Sequence, residues 1–180
     1  GELSGNTTQK LIADMEALRI ELGIKSWLLF GGSWGSSLAL AYAQTYPQRC
    51  RGVISRGIFL CRRGEVDWFL FGMKRIFPEA WRRFSEFLPQ DERGDLLTHY
   101  YRRLTDPDPD VHLPAGMAWS RYESACSTLL PIPEATAAAD PANALCLARI
   151  EAHYFVNDCF QQRPVGQETV IAEVMRLDPG

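Results

Sequence analysis

The sequence predicts an α/β chain in two parts: parallel sheet strands that carry a serine on a strand-to-helix turn, followed by an α-helical cap. Three observations predict it. Residues 27–30, Trp-Leu-Leu-Phe, are an apolar run of strand length; they meet Gly31-Gly32-Ser33-Trp34-Gly35; and that turn opens directly into the Ala/Leu-rich residues 38–43. From Cys61 onward strand patterns vanish and aromatic-rich helical segments take over.

Taken in order, Asn6-Thr7-Thr8-Gln9 reads as a capping box with Asn6 as N-cap and Gln9 reaching back. Leu11, Met15, Leu18 and Leu22 follow at helical spacing, which predicts a helix over residues 7–22 ended by Gly23. Residues 25–30 then form a buried strand, and the helix behind Ser33 lasts to Thr45, just before Pro47. Residues 52–59, Gly-Val-Ile-Ser-Arg-Gly-Ile-Phe, are the next strand. Helix, strand, helix, strand in this order predicts a parallel sheet whose ligands gather at the carboxyl ends of the strands, where Ser33 and residues 57–60 lie.

The helical block divides into residues 66–77, 78–88, 92–104, 114 to 124 or beyond, and 141–155, with Pro78 and Pro141 in first turns. Residues 105–110 and 131–133 are loops, and residues 161–180 are an unassigned tail in which 168–177 read as a short helix or strand. The expected organisation is a partial core over 1–60, a helical cap over 61–160, and the tail.

Composition narrows the function classes. A chain of 180 residues that is 46% hydrophobic can bury a sizeable core, and a net charge of −3 argues against a nucleic-acid surface. The pairs Arg62-Arg63, Arg82-Arg83 and Arg102-Arg103 then read as solvated helix faces. Five widely spaced cysteines, with no Cys-x-x-Cys, suit reduced thiols in a cytoplasmic protein better than a disulfide framework or a zinc site. No apolar run approaches membrane-spanning length. The chain opens on Gly rather than Met, so a natural start upstream is an expectation.

The chemistry centres on Ser33. Glycines on both sides let a serine occupy a sharp turn at the head of a helix, where the backbone amide of Trp34 donates to a developing oxyanion. Such a serine needs a histidine base and a carboxylate that orients it. The histidines, His99, His112 and His153, all fall in the helical block, where structural roles are expected. Arg56 ends an apolar strand and reads equally as site lining or as a surface charge.

Residues 29–36, Leu-Phe-Gly-Gly-Ser-Trp-Gly-Ser, followed by residues 38–44 and Pro47, resemble the proline iminopeptidases, α/β-hydrolase serine peptidases that release an amino-terminal proline. The likeness continues through residues 6–8, 56–59, 77–81 and 148–155. It implies a partial α/β-hydrolase fold, a peptide substrate with N-terminal proline, no metal or organic cofactor, and no nucleic-acid or membrane partner. It implies that Ser33 is the nucleophile and that two cap glutamates hold the substrate's imino group. One is Glu123 in Trp119-Ser120-Arg121-Tyr122-Glu123, with Tyr122 where the family has a second Trp; the other is Glu151 in Arg149-Ile150-Glu151-Ala152-His153-Tyr154-Phe155. Phe59 and Phe155 are implied to line the proline pocket, whereas Phe69 reads better as cap core.

The family's glycine-rich oxyanion loop falls before residue 1 and its catalytic Asp and His fall after the matched region, so this segment alone is expected to hydrolyse little. Rival readings are an esterase or other capped α/β-hydrolase, and a non-catalytic truncated binding module.

Overall fold

The computed structural model describes residues 3–128, 130 and 140–160. They form two units. The first runs through Glu65 and resumes at Asp158; the second is Val66–Asn157. The expected loop at 131–133 and the tail at 161–180 lie outside the described residues.

In the first unit, α1 spans Thr8–Glu21. Its N-cap is Thr7, whose side chain accepts the Lys10 N–H at 3.2 Å, one residue later than the box read from Asn6. Gln9 does not reach back. Its amide donates to the Phe160 carbonyl, and the Thr8 hydroxyl donates to the Cys159 carbonyl at 2.6 Å. Both first-turn side chains are thus spent on the returning chain, which leaves only Thr7 to cap.

The inward face also differs from the expected leucine stripe. Thr8, Ile12 and Arg19 are buried, whereas Leu18 is 54% and Leu22 60% exposed. Arg19 turns inward because its charge is met: its guanidinium bonds both Glu16 oxygens at 2.9 and 2.7 Å, and Glu16 also accepts the Tyr42 hydroxyl at 2.8 Å. The Arg19 and Tyr42 donors hold the Glu16 carboxyl down at about 2.

β1 (Trp27–Ser33) and β2 (Cys50–Ile58) pair in parallel, with Leu29 opposite Val53 and Gly31 opposite Ser55. β1 reaches three residues beyond the expected strand, since Gly31 and Gly32 remain in the ladder against Ser55 and Arg56. Between the strands runs α2 (Trp34–Thr45), which packs on both. The core of this unit is Ile12, Leu29, Ala39, Tyr42, Ala43 and Cys50. Phe30, by contrast, is 70% exposed on the strand, and Leu28, Ile54 and Ile58 are exposed with it.

Cys61 and Cys159, both in the first unit, are joined as a disulfide with a Cα–Cα distance of 6.1 Å, within the normal span for such a bond. The expectation of reduced thiols throughout is corrected for these two. Their sequence separation of 98 residues conceals the proximity, which arises only because the chain leaves and re-enters this unit.

The helical unit opens with α3 (Arg63–Asp67), which crosses the boundary. A wide π turn (Trp68–Gly72) and a 3-10 turn (Met73–Arg75) replace the single helix expected over 66–77. Gly72 is required there, because a Cβ on it would lie 2.2 Å from the Trp68 ring. Then come α4 (Pro78–Glu86), α5 (Leu96–Leu104), α6 (Pro109–Cys126) and α7 (Pro141–Val156). α6 begins five residues before the expected Pro114, because Asp108 caps it by accepting the Asp110 N–H at 2.9 Å and Pro109 takes the first turn. Pro114 is carried inside the helix.

α6 and α7 approach closely along small residues. A Cβ on Gly116 would come within 2.8 Å of Leu145 Cα, and Ala115, Ala144, Ala148 and Ala152 are buried. The rest of this core is aromatic: Phe84 stacks on Tyr100 at 4.4 Å and on Tyr122 at 4.3 Å, with Trp119 edge-on to Phe84 and Tyr100.

Candidate active site

Ser33 joins the end of β1 to the start of α2 with φ 52° and ψ −126°. A left-handed backbone is costly for a residue with a side chain, and it persists only where the surroundings impose it. Here they do. A Cβ on Gly31 would sit 2.2 Å from the Gly35 carbonyl oxygen, so strand and helix can meet only over a bare glycine. Gly35, in contrast, faces open space, and its glycine answers no collision among the described residues. Gly31→Ala is therefore expected to destabilise the fold by about 3 kcal/mol and Gly35→Ala by less than about 0.5 kcal/mol, as measured by urea denaturation.

Trp34 is the first residue of α2, and the first-turn amides of a helix have no acceptor within it. The Trp34 N–H thus belongs to the positive end of the helix, next to Ser33. Two buried hydroxyls behind it were not anticipated from the sequence. Ser36 donates to the Ser33 carbonyl at 2.6 Å and accepts the Phe59 N–H at 3.1 Å, while Ser37 donates to the Phe59 carbonyl. These bonds staple the turn to the end of β2 and fix the backbone of Phe59 against it. The doubled serine after Gly35 was the available signal, since a hydroxyl in a tight helix start must find a backbone partner.

Arg56 is exposed, and its side chain lies over Gly32, where a Cβ would fall 3.3 Å from Nε.

The second unit holds Glu123 on α6 and Glu151 on α7, both half-buried. The Glu151 carboxyl is pushed up to about 8, first by burial and then by the charge of Glu123, against the opposing pull of a hydrogen bond from Trp119. Burial also raises Glu123. The indole Nε1 of Trp119 donates to Glu151 Oε2 at 2.6 Å. Phe155, one turn after Glu151, is buried beside Trp119 and Phe69, with ring centroids 6.3 and 6.1 Å away. Phe69 packs on Trp119 and Tyr122 as well, at 6.0 and 5.1 Å, and its carbonyl accepts the Tyr122 hydroxyl at 2.5 Å. A groove between α4 and α6, lined by Phe77, Arg83, Phe87, Met117, Arg121 and Thr128, contains neither glutamate.

Within this unit His112 Nδ1 is 2.8 Å from the Asp106 carbonyl and His153 Nδ1 is 3.4 Å from the Tyr101 hydroxyl, whereas His99 Nδ1 lies 3.6 Å from Glu92, beyond hydrogen-bond reach. Arg102 and Arg103 both close on Glu92, at 2.7 and 2.6 Å. Among the described residues no group of His, Cys, Asp and Glu is arranged to hold a metal ion, and no helix is long and apolar enough to cross a membrane.

A family profile described as the alpha/beta hydrolase fold matches residues 3–129, a span that contains β1, the Ser33 turn, α2 and β2. The chain belongs to the α/β-hydrolase fold family. Within it, a probable proline iminopeptidase of Leptolyngbya boryana is 49% identical over 161 residues, which are 88% of this chain and 50% of that protein. The proline iminopeptidase of Xylella fastidiosa is 49% identical over 160 residues, 88% and 51% of the two chains. That of Arabidopsis thaliana is 45% identical over 161 residues, 88% of this chain and 42% of the relative. The chain spans about half the length of the curated relatives it matches. As an α/β-hydrolase it contributes the serine turn, two parallel strands and a helical unit.

Proposed function

We propose that the full-length protein carrying this chain is a serine exopeptidase that releases N-terminal proline from peptides. Ser33 is the nucleophile: its Oγ attacks the carbonyl carbon of the N-terminal proline, the Trp34 amide donates to the oxygen that becomes negative, and the C–N bond to the second residue breaks, leaving a prolyl ester on Ser33 for water to hydrolyse and freeing the shortened peptide as an amine. Glu123 and Glu151 bind the cationic imino terminus, and Phe59 and Phe155 line the space for the proline ring. Residues 1–60 serve as part of the catalytic core and 61–160 as its cap, with the base and acid supplied from outside this chain. The reaction draws on no metal or organic cofactor.

The observation that supports this reading most is the pair of glutamates. Burial raises both half-buried carboxyls and the charge of Glu123 raises Glu151 further, so the pair is costly as it stands, and among the described residues no salt bridge reaches either. A cation between them would relieve both burial and repulsion. An obligate amino-terminal substrate supplies that cation, and the names of the relatives agree with it. A cytoplasmic setting is supported by the free thiols of Cys50, Cys126 and Cys146, whereas the Cys61–Cys159 bond is of a kind commoner in oxidising compartments.

The test is steady-state hydrolysis of prolyl, alanyl and N-acetylprolyl arylamides by the full-length protein. Prolyl arylamide should exceed the other two by at least about a hundredfold in kcat/KM, since the acetyl group removes the cation that a charge pair recognises and alanine lacks the ring that fills the space lined by Phe59 and Phe155. Equal turnover of the acetylated substrate, or preference for acyl esters, would replace the exopeptidase reading with that of an esterase.

A further inference from the structure

We infer that Trp119 is a positioning residue for Glu151: its indole N–H fixes one carboxylate oxygen and leaves the other to receive the substrate's cationic terminus. The inference rests on the proposed role of Glu151 as an amine anchor.

An indole offers one donor and no acceptor, so its bond to Oε2 at 2.6 Å has a single direction. The ring itself cannot follow the carboxylate. It is fully buried, with Phe84 and Tyr100 edge-on at 5.7 and 5.5 Å and Phe69 and Phe155 at 6.0 and 6.3 Å. Glu151, which keeps part of its surface open, is the partner that gets pinned. The distance between the two helices is set by the Gly116–Leu145 approach, three residues before Trp119 on α6.

The chemical identity of the donor matters. An Arg or Lys at this place would neutralise Glu151 and compete with a bound ammonium. A neutral N–H orients the carboxylate and favours its anion while leaving the negative charge intact. Burial and the Glu123 charge act in the opposite direction, so without the N–H the carboxyl would stay protonated to a higher pH.

The experiment compares wild type, Trp119→Phe and Glu151→Gln in the full-length protein, with kcat and KM for a prolyl arylamide recorded from pH 5 to 10. Trp119→Phe keeps an aromatic ring and loses the donor. Expected are a KM raised by roughly tenfold or more, a smaller change in kcat, and an acid limb of kcat/KM displaced to higher pH. In the Glu151→Gln background the same change should add little to KM.

If Glu151→Gln is crippled while Trp119→Phe keeps the wild-type KM and acid limb, the positioning role is overturned and the amine anchor survives. If Glu151→Gln itself is unaffected, the anchor reading fails and takes this one with it. Wild-type protein labelled with 5-fluorotryptophan gives a readout that does not depend on the folding of Trp119→Phe. One fluorine resonance should titrate with the limb and stop titrating in Glu151→Gln; no such resonance would overturn the inference.

Discussion

Ser33→Ala in the full-length protein is expected to lower kcat by on the order of 10⁶ and to abolish covalent labelling by a fluorophosphonate, with the thermal melt unchanged. The separation of activity from stability follows from what holds the turn. Ser36 bonds the carbonyl of Ser33 rather than its hydroxyl, and Gly31 clears the space in which the turn sits. Alanine keeps that carbonyl and carries the same Cβ strain at φ 52° that serine already bears. A variant that loses activity and also melts early would place the hydroxyl in the scaffold instead, and persistent labelling would move the nucleophile elsewhere.

Glu151→Gln should have the second largest effect, and in two opposite directions. Turnover of prolyl arylamide is expected to fall by about 10²–10³ through loss of a desolvated charge pair with the substrate. Stability is expected to rise at alkaline pH. The folded protein holds the Glu151 proton up to about 8, whereas the unfolded chain releases it near the ordinary carboxyl value of 4.5. Between those values the unfolded state binds fewer protons, so the wild type loses stability as pH rises through the window. Glutamine does not titrate, and its amide oxygen still accepts the Trp119 N–H. With the effect discounted for the part of Glu151 that solvent reaches, the variant should melt about 3–6 °C above wild type at pH 9 and level with it at pH 4. Equal melts at both pH values would show that the carboxylate is not destabilised by its surroundings.

How much of this could be read from the chain differs by element. The Ser33 turn was legible because its requirement is local: a strand, small residues and a helix start within ten positions. α2 and α7 were legible for the same kind of reason, since periodicity and first-turn residues act over a few turns, whereas α5 starts four residues later than expected because Asp95 caps it by accepting the Thr98 N–H. Part of what escaped depended on partners far away in sequence, and part on a stronger local signal nearby. Gln9 looked like half of a capping box until the 158–160 segment claimed it. Arg19 faced inward against its type because Glu16, one turn back, meets its charge, and the distant Tyr42 holds that same carboxylate in place. Pro114 looked like a helix start, yet Asp108 and Pro109 supplied a better one. Trp119 stood in the sequence as a motif letter. Its indole N–H gained a reason only when α7 brought Glu151 to it.

The bond between Cys61 and Cys159 changes what kind of object the helical unit is. These residues bracket Val66–Asn157 in the chain, so the bond makes that stretch part of a covalent ring rather than a loop between two independent stems. Closing a loop of this size removes roughly 4–5 kcal/mol of unfolded-chain entropy on the chain-entropy account. It also decouples integrity from continuity. One peptide-bond cut anywhere inside the ring opens it without detaching anything, and the molecule comes apart only when the sulfur bridge is broken too.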